Sequence, residues 1–160
     1  MNFLVLLDAG PLGMVTNPKV SDKNRPCKEW LRGLLAAGVR VMIPEGADYE
    51  VRRDLLLAGK RPGIARLDEL GEQLGYLPIT REALLAAAEI WARMRKAGTP
   101  TADAKALDFD VILGAQAQVT VGDDLIVIVA TQNVGHLGRF CDAREWDRVG
   151  TSSLDPESAR

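Results

Sequence analysis

Two stretches of the chain are apolar without a break: Phe3-Leu4-Val5-Leu6-Leu7 and Leu125-Ile126-Val127-Ile128-Val129-Ala130. Runs this short, with no polar alternation, predict strands buried on both faces, as in the interior of a parallel sheet. The first run meets Asp8 and then Ala9-Gly10-Pro11, whose Gly-Pro pair ends the strand. Asp8 is thus expected at the carboxyl end of a central strand, the edge where open α/β sheets place their ligands. Val39-Arg40-Val41-Met42-Ile43, mostly apolar, predicts a second strand, and Tyr76-Leu77-Pro78-Ile79 a short one whose proline marks an edge position.

Between these runs the apolar positions recur at helical spacing. Cys27, Trp30, Leu31, Leu34 and Leu35 follow Pro26 and stop at Gly38. A second helix opens at Pro44, with Leu55 and Leu56 inward, and closes at Gly59. A third carries Ile64, Leu67, Leu70 and Leu74 and ends at Gly75. Thr80 is a suitable N-cap for a fourth, with Leu84, Ala87, Ala88, Trp91 and Met94 as its expected buried stripe. Residues 15–24 read as a loop, 101–107 as a loop or the first turn of a helix, and 108–119 as a helix of small residues. Strand and helix alternate, so the expected fold is α/β: a single-domain parallel sheet flanked by helices on both faces, a Rossmann-like three-layer sandwich. The expected domain is residues 1–146, followed by a polar, frayed tail at 147–160.

Composition adds little to that outline but removes several function classes. The chain has 160 residues, 47% of them apolar and 26% charged, which suits one globular domain. No apolar run approaches the ~20 residues of a membrane helix, and none follows a basic start as a secretory signal would, so the expected location is the cytoplasm, with no membrane partner. Cys27 and Cys141 lie far apart with no metal-type spacing, in keeping with reduced thiols. The net charge of −2 argues against a passive nucleic-acid-binding module, though not against a nuclease whose clustered acids offset a local basic rim. His136 is the only histidine, so His-based metal sites and a Ser-His-Asp triad lack material. Neither glycine-rich nucleotide-binding pattern occurs.

The remaining chemistry is carboxylate chemistry. Asp8 follows the first strand, Glu50 lies in the helix after the second, and Asp108 and Asp110 open the small-residue helix. Thr131 and Asn133 follow the last long strand. All six stand near strand ends or in the first turns leaving them, so all can face one edge of the sheet. Acids gathered there repel one another unless a divalent cation sits among them, and Mg²⁺ or Mn²⁺ prefers such oxygen ligands. Each acid also has a purely structural role open to it. Asp8 can cap a turn, Glu50 can be a solvated helix residue, Asp108 can be an N-cap, and Asp110 can complement the helix dipole. Arg52, Arg53, Lys60 and Arg61 form either a solvated basic face or a grip on a phosphate backbone.

Four segments taken together resemble the PIN-domain nucleases, and within them the VapC-type toxins of bacterial toxin–antitoxin pairs. They are Leu6-Leu7-Asp8, Ile43-Pro44-Glu45 leading to Tyr49-Glu50-Val51-Arg52-Arg53, Leu107 to Ala117, and Val129-Ala130-Thr131-Gln132-Asn133. The resemblance implies a PIN-like fold and a metal-dependent endoribonuclease. Asp8, Glu50 and Asp110 would be the catalytic and metal-binding acids for Mg²⁺ or Mn²⁺, with Asp108 as a further ligand. Arg52, Arg53, Thr131 and Asn133 would contact the RNA substrate. It also implies a homodimer and a small antitoxin partner. One departure is that many members carry an acid where this chain has Thr131-Gln132-Asn133, so one firmly held ion is expected. The competing expectation is a catalytically silent PIN-like scaffold that binds RNA or a partner protein. An aspartyl phosphatase of the haloacid type is disfavoured because Gly10 stands where its second Asp would be.

Overall fold

The computed structural model describes residues 2–98 and 104–154. Among them, five parallel strands form one sheet in the order β3-β2-β1-β4-β5. The strands are β1 (Asn2–Leu7), β2 (Arg40–Pro44), β3 (Tyr76–Leu77), β4 (Leu125–Thr131) and β5 (Ala143–Glu145). Six helices connect them: α1 (Ala9–Thr16), α2 (Arg25–Ala36), α3 (Glu45–Leu57), α4 (Arg61–Leu74), α5 (Arg81–Lys96) and α6 (Ala104–Thr120). None of these helices is long and apolar enough to cross a membrane.

The two unbroken apolar runs are the central strands, and each feeds two cores. Val5 and Leu7 of β1, with Ile128 and Ala130 of β4, pack with Leu12, Leu31, Leu34, Val51 and Leu67 from α1–α4. Leu4 and Leu6, with Val127 and Val129, pack on the other side with Leu113 and Ala117 of α6. Alternate residues therefore meet different helix layers, which is why no position in either run can be polar. It also means that hydrophobicity alone does not fix how β1 and β4 are registered. A side-chain bond at the strand ends, from the Thr131 hydroxyl to the Asp8 carboxylate, ties the observed register. The Asn2 N–H donates to the Asp124 carbonyl (2.9 Å) and the Asp8 N–H to the Ala130 carbonyl (3.0 Å), which bracket the pairing from Asn2↔Leu125 to Leu7↔Ala130. The chain winds from β1 to one side and then returns to place β4 on the other. The strand order thus reverses beside β1, and a crevice opens there at the carboxyl edge.

Several local expectations need correction. Residues 9–16 form α1 rather than a turn and loop. Asp8 caps it by accepting from the Ala9 N–H (2.8 Å), and Gly10 and Pro11 fall in the first turn, where backbone N–H groups have no helical acceptor and a proline costs nothing. The small-residue helix begins by Ala104, so Asp108 is not its N-cap; residues 101–103 of the expected loop lie outside the described residues. The buried stripe of α5 is Ala83, Ala87, Ile90 and Met94, rotated from the expected one, and Leu84 and Trp91 are partly exposed. The segment after Glu145 does not fray at once. The Trp30 indole N–H donates to the Val149 carbonyl, Trp30 and Trp146 meet edge to face at 5.6 Å, and Val149 and Leu154 are buried. The short, polar β5 has no periodicity that would have announced it, and residues 155–160 lie outside the described residues.

Candidate active site

The crevice is built around Asp8. Its Oδ1 accepts the Ala9 N–H, which fixes the carboxylate at the amino end of α1, and its Oδ2 accepts the Thr131 hydroxyl at 2.7 Å. Thr131 is the last residue of β4 and is 1% exposed. Its Oγ1 also receives the Asn133 N–H at 3.2 Å, so the turn after β4 is stitched to the acid at the end of β1. Beyond it, the Gln132 side chain lies across α1. A Cβ at Gly10 would stand 2.6 Å from Gln132 Oε1, so any larger residue there would push the Gln132 side chain aside.

Two more acids approach from other elements. Glu50 projects from α3 and is half-buried. Burial chiefly, and then the charge of Asp8, push its pKa from an ordinary 4.5 up to about 7, with Asp110 adding to the rise and Arg53 opposing it. Asp110 projects from α6. Burial and then the Asp8 charge raise its pKa as well, while His136 opposes the rise. Asp8, Glu50 and Asp110, separated by 42 and 60 residues in sequence, thus act on one another through space. None of the ion pairs among the described residues reaches any of them. Next to Glu50 a groove of ≈ 400 Å³ runs past Gly10, Asp54 and Lys60.

The three acids bear on one another electrostatically, Arg53 offsets part of that at Glu50, and carboxylate oxygens are the ligand type that Mg²⁺ and Mn²⁺ prefer. The set is open: among the described residues no three His, Cys, Asp or Glu already stand closely enough to enclose an ion.

The other expected site residues divide. Asp108 is exposed on the far side of α6, beside Leu84 and Trp91 of α5, and is not brought to the crevice; two residues along a helix rotate by about 200°, so Asp108 and Asp110 cannot share a face. Arg52 is not free to grip a phosphate. It makes two bonds to Asp48 (2.9 and 3.1 Å) and one to Asp68 (2.7 Å), which ties α3 to α4. Arg53 lies 3.8 Å from Asp54, with its guanidinium 5.5 Å from the Tyr49 ring centroid and 5.4 Å from that of Phe109, and its charge bears on Glu50. Asn133 is exposed and leans over Gly135. Tyr49 and Phe109 have no assigned role in the sequence reading, although each immediately precedes one of the acids.

No protein-family model and no curated protein matches the chain. Solved structures do. A chain of VapBC2 from Rickettsia felis, solved bound to a DNA fragment from its promoter, aligns with a TM-score of 0.65 at 15% identity, covering 89% of this chain and 98% of that one. FitAcB from Neisseria gonorrhoeae gives 0.64 at 18% identity, covering 91% and 99%. VapBC-1 from nontypeable Haemophilus influenzae gives 0.66 at 16% identity, also covering 91% and 99%. Nearly the whole length of each matched chain is spanned, and the chain has the PIN-type three-layer α/β fold that these proteins share.

Proposed function

We propose that the protein is a metal-dependent endoribonuclease that hydrolyses RNA phosphodiester bonds, and the toxin of a toxin–antitoxin pair. The observation that carries this reading is the convergence of Asp8, Glu50 and Asp110 at the crevice, uncompensated by any ion pair among the described residues. The fold likeness to VapBC chains supports it.

Asp8, Glu50 and Asp110 would hold Mg²⁺ or Mn²⁺. Such an ion, when bound, polarises the phosphodiester and makes water a better nucleophile. The chain's own contributions follow from its geometry. The Ala9 N–H and the Thr131 hydroxyl fix the Asp8 carboxylate, so its orientation is set before substrate arrives. One of the three acids would take the proton of the attacking water. Lys60 lines the groove and Arg53 stands beside the Tyr49 and Phe109 rings, and both can meet RNA phosphates. An antitoxin, as the partner protein in such pairs, would have to cover this crevice to silence it.

The test is cleavage of a mixed RNA pool in Mn²⁺. EDTA is expected to abolish it, and so is Asp8→Asn in a protein whose circular dichroism matches the parent. Cleavage by Asp8→Asn at the parent rate defeats the proposal. The open geometry of the three acids favours one second reading, a silent scaffold that binds RNA or protein without cutting. Retained RNA binding with no cleavage in Mn²⁺ would select it.

A further inference from the structure

Tyr49 and Phe109 stack across the α3–α6 contact with ring centroids 5.9 Å apart and planes 22° from parallel. The lower ring is structural: Phe109 lies against Ile79 and the open backbone of Gly46, where a Cβ would stand 3.7 Å from its Cδ1. The upper ring is not buried by this packing, and Tyr49 remains 57% exposed. Gly46, Tyr49 and Arg53 follow at helical spacing on one face of α3, so Arg53 is delivered beside both rings. A stacked tyrosine left largely in water forgoes the burial that ordinarily makes an aromatic side chain stabilising.

The placement of this pair explains its exposure. Tyr49 precedes Glu50 and Phe109 precedes Asp110, so the rings stand one helical step, about 100°, from the two acids. The Arg53 charge bears on Glu50 from the same position. A flat π-face with a guanidinium at its rim matches a nucleobase together with its phosphate. A duplex offers no free base face for such a platform, whereas a single strand does.

We infer that Tyr49, backed by Phe109 and flanked by Arg53, is a stacking platform for one unpaired base of a single-stranded RNA, seated next to the acid crevice. This inference rests on the ribonuclease reading for its substrate class. It makes Tyr49 a determinant of strandedness and positioning rather than of chemistry.

The experiment uses a short single-stranded oligoribonucleotide carrying 2-aminopurine at successive positions. It is bound to the full chain on an Asp8→Asn background, with the annealed duplex as control. The expected result is fluorescence quenching at one position, weaker binding of the duplex, and both quenching and affinity lost on adding Tyr49→Leu, the affinity by about 5- to 100-fold. Tyr49→Trp is expected to retain them. Affinity and quenching unchanged by Tyr49→Leu, or no binding of the single strand, would overturn the platform. The parent chain, assayed in Mn²⁺ on the same strand, separates the two ideas. Position-specific quenching without any cleavage leaves the platform standing while the ribonuclease reading falls. Cleavage with a KM untouched by Tyr49→Leu does the reverse.

Discussion

Asp48 and Glu50 stand two residues apart on the same helix and settle their charges in opposite ways. Asp48 shares Arg52 with Asp68 of the next helix, in a triad that links α3 to α4 and keeps the guanidinium firmly protonated, the Asp48 hydrogen bond contributing most. Glu50, turned by about 200° to the other side of α3, meets Asp8 and Asp110 and no ion-pair partner among the described residues. One cluster is neutralised from within the chain and stabilises it. The other is left for a proton or a cation to neutralise, and this separates a structural acid from one suited to chemistry.

The contrast breaks most visibly in activity. Asp110→Asn is expected to lower RNA cleavage by about 100-fold or more, a loss of the size seen when one preorganised electrostatic group is removed. Arg52→Met is expected to cleave at a rate near that of the parent. Steady-state rates for the two variants check both halves, and a collapse of activity in Arg52→Met with folding intact would return Arg52 to the substrate-binding role read from the sequence.

Stability should sort the same residues the other way. Arg52→Met leaves Asp48 and Asp68 facing each other across a partly exposed contact, and a loss of about 1–2 kcal/mol is expected in urea unfolding, between the values for surface and buried pairs. Asp110→Asn, which relieves repulsion, is expected to be neutral or stabilising without metal.

A smaller effect sharpens the comparison through pH. Folded, Glu50 keeps its proton up to about pH 7; unfolded, it loses it near its ordinary 4.5. Between these values the folded state binds more protons, so its stability falls as pH rises through the window. Asp110, also raised, adds to the fall. Glu50→Gln is expected to remove about 1 kcal/mol of that decline, a figure already reduced for solvent screening of a half-exposed group. Thermal melts from pH 4 to pH 8 in EDTA read it directly, and an unchanged slope would show that Glu50 is not held near the other two acids.

How far the chain could be read in advance depends on where its information lies. The apolar runs ending at Leu7 and Ala130 declare their strands because both faces are buried, and Asp8 is legible as the first polar residue after one of them. Glu50 and Asp110 emerge only when segments far apart in sequence are considered together. Arg52 was assigned to the substrate because its partner Asp68 lies 16 residues away on another helix, and no local pattern shows that pairing. Asp108 reads as a ligand or cap because the sequence starts the helix at that residue, whereas α6 is already formed by Ala104 and its phase turns Asp108 away from Asp110. The α1 helix was hidden by Gly10 and Pro11, ordinarily breakers, which here occupy the one turn that tolerates them. The Tyr49–Phe109 stack joins two helices and has no linear signature at all.

The pairing of β1 with β4 has a consequence for how the molecule is made. The first strand emerges from the ribosome with one flank empty, and the strand that fills it begins at Leu125. Val149 and Leu154 then seal the layer that α1 to α4 helped to build. Until residues 125–154 have been made, the nascent chain must carry an unpaired central strand and an unsealed apolar face, the condition that favours chaperone capture and slow, late, all-at-once closure.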